Sequence, residues 1–98
     1  MTPGLPQKII DQMVKAGLPI NGEYSFRPKL ITNYRGQRMI AKRSVLRGPK
    51  KGKKGYVDED GHIWIKDHAH GGMPDHWDVQ IDDGDGYIRV NLDGNILK

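Results

Sequence analysis

Three segments in the carboxyl-terminal half alternate apolar and polar residues, and this alternation restricts the fold more than any other feature. The segments are HIWIK (62–66), HWDVQI (76–81) and YIRVNL (87–92), separated by stretches rich in Gly and Asp. Alternation places successive side chains on opposite faces of a strand, and Gly and Asp favour the turns between strands. Together with YV (56–57) and the DEDG turn after it, the pattern predicts an antiparallel meander.

The two faces of the predicted sheet differ in chemistry. In the last two strands, the apolar face is predicted to form the core, and Trp77 belongs to it. The polar face of the same strands carries His76, Asp78, Gln80, Tyr87, Arg89 and Asn91. In 62–66, Ile63 and Ile65 are assigned to one face and Trp64 to the polar side, where its ring could stack on a base.

The amino-terminal part predicts one short amphipathic helix. In 6–16, Ile9, Ile10, Met13 and Val14 recur at helical spacing, and Pro6 and Gly17 suit the two ends. The fold class is therefore α+β, with an N-terminal helix packed on a small twisted antiparallel sheet. With 98 residues, the chain is expected to be a single domain, 1–98, cut from a longer polypeptide. Residues 20–47 could be strands or a short helix.

Charge is distributed very unevenly along the sequence. From 27 to 54 there are eleven Lys and Arg residues and no acid, whereas 56–98 holds ten acids and three cations. Such an acid-free block predicts a polyanion-binding surface, and its alternative is a solvated segment that only aids solubility. Residues 47–55 contain no apolar side chain, so we expect an exposed, flexible basic loop. The RNA-binding candidates are Lys50, Lys51, Lys53, Lys54, Arg43, Arg47 and Trp64.

All four histidines lie between positions 62 and 76, close to several aspartates. An ordinary histidine both accepts and donates protons near neutral pH, which RNA cleavage through the ribose 2′-hydroxyl requires. A nearby cation would stabilise the charge that develops on the phosphate, and no metal is needed. The catalytic candidates are His76, Asp78, His68, His70, Arg89 and Lys66.

Other chemistries have weaker support in the sequence. The absence of cysteine excludes disulfides, thiol catalysis and cysteine-ligated zinc. His68, His70, His76 and Asp78 could instead ligate zinc, although H-x-H alone is a weak signal. The histidines could also be merely solvated, and a polar face is common on antiparallel sheets. No apolar run approaches the length of a membrane span, so no membrane contact is expected of this domain.

The sequences KKGKKGYVDEDGHIWIKD and HGGMPDHWDVQIDDGDGYIRVNLDGNIL resemble the C-terminal toxin domains of bacterial polymorphic toxins, such as contact-dependent inhibition and Rhs effectors. The ending is also similar, more loosely, to the cytotoxic domains of ribosome-cleaving colicins. The His and Glu that those colicins carry after the WD pair are missing here. The polymorphic-toxin resemblance implies a cognate immunity protein, delivery from the cell surface as part of a larger effector, and action in the cytoplasm of the target cell.

We therefore expect an antibacterial toxin that cleaves RNA (tRNA or rRNA) by His/Asp acid–base chemistry without a cofactor. Two alternatives remain open at this point: a metal-dependent DNase toxin, and a nucleic-acid-binding module with no catalytic activity.

Overall fold

The fold consists of one helix and two antiparallel sheets, as a computed structural model of the chain shows. It describes residues 4–68, 72 and 74–97. The helix α1 is Gln7–Ala16, and a short 3-10 turn spans Asp82–Gly84. The strands are β1 Leu30–Thr32, β2 Arg38–Ile40, β3 Lys42–Ser44, β4 Lys54–Val57, β5 Ile63–Asp67, β6 His76–Ile81 and β7 Gly86–Asn91. The predicted α+β class and the antiparallel meander are both confirmed.

Segment 20–47, which the sequence left open, contains strands and no helix. Strands β1 and β2 form a separate two-stranded ribbon, with Ile31 opposite Met39. The other strands form one five-stranded sheet in the order β3-β4-β5-β6-β7, so every neighbour in space is also the neighbour in sequence. All of these pairings are antiparallel.

Helix α1 ends where the sequence predicts. Gly17 adopts a left-handed conformation with φ of 80°, and the backbone N–H groups of Gly17 and Leu18 donate to the carbonyls of Val14 and Met13. These two hydrogen bonds satisfy two carbonyl groups that the helix end would otherwise leave unpaired. Ile9 and Met13 are buried against the sheet, whereas Val14 is exposed and does not join the core.

The main core lies between α1 and one face of the sheet. It contains Ile9, Met13, Leu18, Phe26, Ile40, Trp64, Trp77, Val79 and Val90. The assignment of Trp64 to a polar, base-stacking surface is wrong, because its ring is completely buried and its edge packs on Phe26 at 5.2 Å between centroids. Opposite Val79 in the ladder, Trp64 shares the face that α1 covers.

The opposite face of the sheet is covered as well, by the segment that follows β3. Val45 is buried there in a second, smaller cluster with Ala41, Val57, Ile63 and Ile65. Both faces of β5 are therefore apolar, which explains why alternation alone misplaced Trp64. A strand that is buried on both faces has no polar side to identify.

The prediction that 47–55 is a loop with nothing buried is only partly correct. The segment is anchored by backbone hydrogen bonds from Leu46 and Arg47 to the carbonyl of Asp83, and from Gly52 to Val45. Gly55 is buried, and the side chain of Lys50 is only 26% exposed. The physical reason is that lysine can bury its aliphatic stem when its ammonium group meets carboxylates.

Glycine is required where this segment crosses the 3-10 turn. Gly84 has φ of 114°, and a Cβ at this position would overlap the carbonyl oxygen of Arg47. The two backbones therefore approach more closely than any side chain would allow.

Candidate active site

The polar row predicted on β6 and β7 is confirmed by the register of the ladder. Asp78 lies opposite Arg89, and His76 lies opposite Asn91. On the other side of β6, His76 lies opposite Asp67, the last residue of β5. Because directly opposite residues project from the same face, these side chains converge on one surface.

The β6 members of this polar row are buried, so the alternative of an ordinary water-exposed sheet face does not apply to them. His76 is 0% exposed, Asp78 3% and Gln80 2%. They lie on the face that the segment after β3 covers, and Lys50 from that segment sits above them. Burying charged groups is costly unless they are paired, so the contacts among them determine what the site can do.

Lys50 and Arg89 supply positive charge to two carboxylates. The Lys50 ammonium lies 3.5 Å from Asp78 Oδ2 and 3.8 Å from Asp67 Oδ2. Arg89 Nε lies 3.5 Å from Asp78 Oδ1. Asp78 therefore faces two cations, and Asp67, whose side chain is 24% exposed, faces one of them at the edge of the cluster. At these distances the groups form ion pairs. Because the site is largely buried, the low dielectric of the surroundings makes the attraction stronger than it would be in water.

His76 lies beneath both carboxylates. Its Nδ1 is 3.0 Å from the carbonyl oxygen of Pro74, which can only accept, so Nδ1 carries a proton. Its Nε2 lies 3.4 Å from Asp67 Oδ2 and 3.4 Å from Asp78 Oδ1. His76 therefore lies within ion-pair distance of both carboxylates and helps to fix their positions.

A cavity of about 230 Å³ opens above this cluster. It is lined by Pro49, Lys50, Asp67, Asp78, Gln80, Tyr87 and Arg89. Tyr87 is half exposed at its rim, and the Arg89 guanidinium lies 5.5 Å from the centre of that ring. The cavity therefore combines carboxylates, two cations and one accessible aromatic ring, a set suited to binding a phosphodiester next to a base.

The structure separates the remaining catalytic candidates. Lys66 is on the opposite face of the sheet from His76, because it pairs with Trp77 and its ammonium lies 5.9 Å from that ring. Lys66, a candidate alternative to Arg89 as the stabilising cation, therefore does not lie on the same face as His76 and Asp78. His68 directly follows β5 and is exposed, and His70 lies outside the described residues.

The RNA-binding candidates are likewise divided. Arg43 contacts Asp83 at 3.3 Å and Arg47 contacts Asp85 at 2.9 Å, so acids of the second half partly neutralise them. These pairs are solvent-exposed and contribute little to stability. Lys51 and Lys53 are exposed in the turn after Lys50, and Lys54 begins β4.

Among the residues that the structure describes, two clusters of side chains have the spacing of metal ligands. Asp67, His76 and Asp78 each offer an atom within 4.8 Å of the others, but Lys50 and Arg89 already bring positive charge to this group. Asp58, Asp60 and His62 form the second cluster. There, Asp58 accepts hydrogen bonds from Trp64 Nε1 and from the backbone N–H of Asp60 and of His62. These bonds give that carboxylate a structural role.

Sequence reasoning missed Asp67 as a site residue and placed Lys50 among surface contacts. Asp67 had a detectable signal, since it extends the alternation of 62–66 by one residue onto the face of Ile63 and Ile65. Lys50 had none, because its partners are distant in sequence.

The sequence model of one protein family, described as bacterial toxin 37, matches residues 22–94. The match covers all five strands of the larger sheet and all the lining residues named for the cavity, and it lends no support to the looser similarity with colicins. No curated protein and no solved structure matches the chain. The described part of the chain contains no helix with the length and apolar character that a bilayer crossing requires.

Proposed function

The chain belongs to the bacterial toxin 37 family, and on that premise we propose that its cavity is the active site of a metal-independent endoribonuclease. The observation that carries the proposal is the convergence of Asp67, Lys50 and Arg89 on one opening. Asp67 can accept a proton, Lys50 can donate one, and Arg89 can hold a phosphate with a charge that it cannot lose. The whole group lies beneath the most basic segment of the chain.

The reaction would be an internal transesterification. A carboxylate oxygen of Asp67 takes the proton of the ribose 2′-hydroxyl while the 2′-oxygen attacks phosphorus. The bond from phosphorus to the 5′-oxygen breaks, and the Lys50 ammonium gives that oxygen its proton. Products are a 2′,3′-cyclic phosphate and a 5′-hydroxyl. Because Lys50 Nζ lies 3.8 Å from Asp67 Oδ2, the proton can return to Lys50 and restore both groups.

In this proposal His76 and Asp78 are positioning residues. His76 is 0% exposed and cannot contact RNA, so its predicted role as a proton-transfer group is replaced by that of holding Asp67. Asp78 has one carboxylate oxygen 3.5 Å from the Lys50 ammonium and the other 3.5 Å from Arg89 Nε, and thereby fixes both the proton donor and the phosphate ligand. Holding reacting groups in place before the substrate arrives is a large part of catalysis.

A metal-dependent DNase is the second candidate, and the spacing of Asp67, His76 and Asp78 is what favours it. One experiment separates the two. Purified protein is incubated with total RNA and with plasmid DNA, each with and without EDTA. Cleavage of RNA that survives EDTA supports the ribonuclease, and nicking of DNA that EDTA abolishes supports the DNase. No cleavage in any lane would favour a binding module without catalytic activity.

Matched variants test the roles of the residues. Asp67→Asn and Lys50→Ala should each lower the cleavage rate by roughly a hundredfold to ten-thousandfold, the range for a lost acid or base. Asp60→Asn and Lys8→Ala make the same chemical changes at exposed positions away from the cavity and should retain activity. A 5′-phosphate on the product would contradict the transesterification. If His68→Ala is inactive while Lys50→Ala is active, the proton donor is His68.

The toxin family supports delivery into a competing bacterium as the biological context. We extend the proposal to an acidic immunity protein that covers the basic surface, for which fast and salt-sensitive association is expected. An association rate that is the same at low and high salt would argue against such a partner.

A further inference from the structure

Five lysines line a groove on the face of the sheet opposite the cavity. Strand alternation divides the cations of the acid-free block, 27–54, between the two faces of the sheet. Arg43 lies opposite Gly55 and projects to the cavity side, whereas Lys42 lies opposite Tyr56 and projects to the side of helix α1. Two adjoining hollows, of about 440 and 370 Å³, share Ala16 and Tyr56 and form the groove. Its cations are Lys15, Lys42, Lys53, Lys54 and Lys66.

None of these lysines forms an ion pair in the part of the chain that the structure describes. The ion pairs found there involve Lys50 and four arginines but none of the five groove lysines. Lys42 instead lies over the ring of Tyr56, at 5.1 Å from its centre. A concentration of positive charge without internal compensation is the electrostatic signature of a polyanion site.

The groove and the cavity reach the same end of the sheet, on its two faces. Lys66 and Asp67 are consecutive at the end of β5 and project to opposite faces, because Lys66 lies opposite Trp77 and Asp67 lies opposite His76. Lys66 lines the groove and Asp67 lines the cavity. The turn after β3 also links the two, since Lys50 and Lys54 are separated by at most about 14 Å of chain.

We propose that the RNA strand held in the cavity passes around this end of the sheet and lies along the lysine groove on the other face, so that the substrate is an unpaired stretch of RNA. This inference rests on the proposed ribonuclease function and names its substrate class. A strand that crosses from one face of a thin sheet to the other must bend sharply within a few nucleotides. A single strand can do so, whereas a duplex is too stiff and too wide.

The test measures binding without cleavage. Oligonucleotides with 2′-O-methyl riboses, of about 2 to about 12 nucleotides, cannot react but retain every phosphate. Affinity is measured at three salt concentrations for the wild type and for the double variant Lys42→Ala/Lys54→Ala. The matched control is Lys8→Ala/Lys29→Ala, which removes the same charge outside the groove. Lys66 is left intact because it packs on Trp77.

We expect wild-type affinity to rise with oligonucleotide length and the groove variant to lose most of that rise. Its log–log salt slope for the longest oligonucleotide should become shallower by about 1.4, or 0.7 for each lost phosphate contact. The control should keep the length dependence. A hairpin duplex of the same length should compete poorly. Equal losses in both double variants, or equal binding of duplex and single strand, would overturn the inference.

Failure of this inference is distinguishable from failure of the ribonuclease proposal. Cleavage of an unmodified dinucleotide needs only the cavity. Dinucleotide cleavage without length-dependent binding would therefore support the ribonuclease proposal and contradict RNA binding in the lysine groove. Length-dependent binding with no cleavage of any RNA would instead contradict the ribonuclease proposal. Binding of polyglutamate in preference to RNA, lost in the groove variant, would assign the groove to an acidic protein and contradict the proposal.

Discussion

The hydrogen bond between Asp58 and Trp64 makes the substitution Asp58→Asn unusually informative. Asp58 Oδ2 accepts from Trp64 Nε1 at 2.9 Å, and Oδ1 accepts from the backbone N–H of Asp60 and of His62 at 3.0 and 2.9 Å. Asparagine has the same shape but only one accepting oxygen. With that oxygen retained for the two backbone groups, its NH₂ group must face the indole N–H.

The expected cost follows from burial. The ring of Trp64 is 0% exposed and Asp58 5%, so water cannot replace the lost acceptor. Leaving one buried donor unpaired costs about 1–3 kcal/mol, and a bond to a charged acceptor lies in the upper part of that range. We expect Asp58→Asn to lower the free energy of unfolding by about 2–3 kcal/mol. In a domain of this size that corresponds to a fall in Tm of roughly 10–20 °C.

A double-mutant cycle isolates the contact. In a Trp64→Phe background no indole donor exists, so Asp58→Asn should cost less than about 1 kcal/mol. Unfolding is followed by urea titration, with the pH held the same for all four proteins. The same cost in both backgrounds would refute the reasoning. Trp64→Phe should also leave RNA affinity unchanged, whereas a base-stacking ring would lose about 1–3 kcal/mol.

Other features of the fold give three more predictions. Gly84→Ala should destabilise the fold and abolish cleavage, whereas Gly36→Ala, also at positive φ but with open space around it, should cost far less in Tm. His76→Ala and Asp78→Ala should each abolish cleavage and lower Tm, in contrast to a surface site; unchanged Tm in both would contradict their burial. Burial, with Asp58 and then Asp60 nearby, raises the pKa of Tyr24 above its ordinary value of 10.0. Tyr24 in the folded protein therefore keeps its proton at pH values where the unfolded chain loses it, so the free energy of unfolding should fall as pH rises above about 10. When denaturation is compared at pH 8 and 11, this fall should be smaller in Tyr24→Phe.

Local sequence patterns determined the elements and their order. Spacing predicted the helix near the amino terminus, the Gly17 that ends it and the strand at 76–81, because helices and strands have fixed periods. It also predicted a last strand at 87–92, which the structure places one residue earlier, at Gly86–Asn91. The side chains that share a face with His76 were also predictable. Register between consecutive strands follows once short turns join them.

The tertiary structure alone decided which faces are covered. A strand pattern distinguishes two faces but does not say what lies above each one. The cover over the polar row comes from the segment that contains Lys50, and its partner Asp78 is distant in sequence. Trp64 was misplaced for the same reason, since burial on both faces of β5 removes the contrast that alternation depends on.

The distribution of charge shows the same division between sequence and structure. Composition revealed an acid-free block from 27 to 54 and thereby predicted a polyanion-binding surface. Whether those cations form one surface or several depends on the side-chain directions of β3 and β4. Successive residues of a strand point to opposite faces. A block that is continuous in sequence therefore forms a lysine groove on one face, while on the other face Lys50 contacts the carboxylates of Asp67 and Asp78.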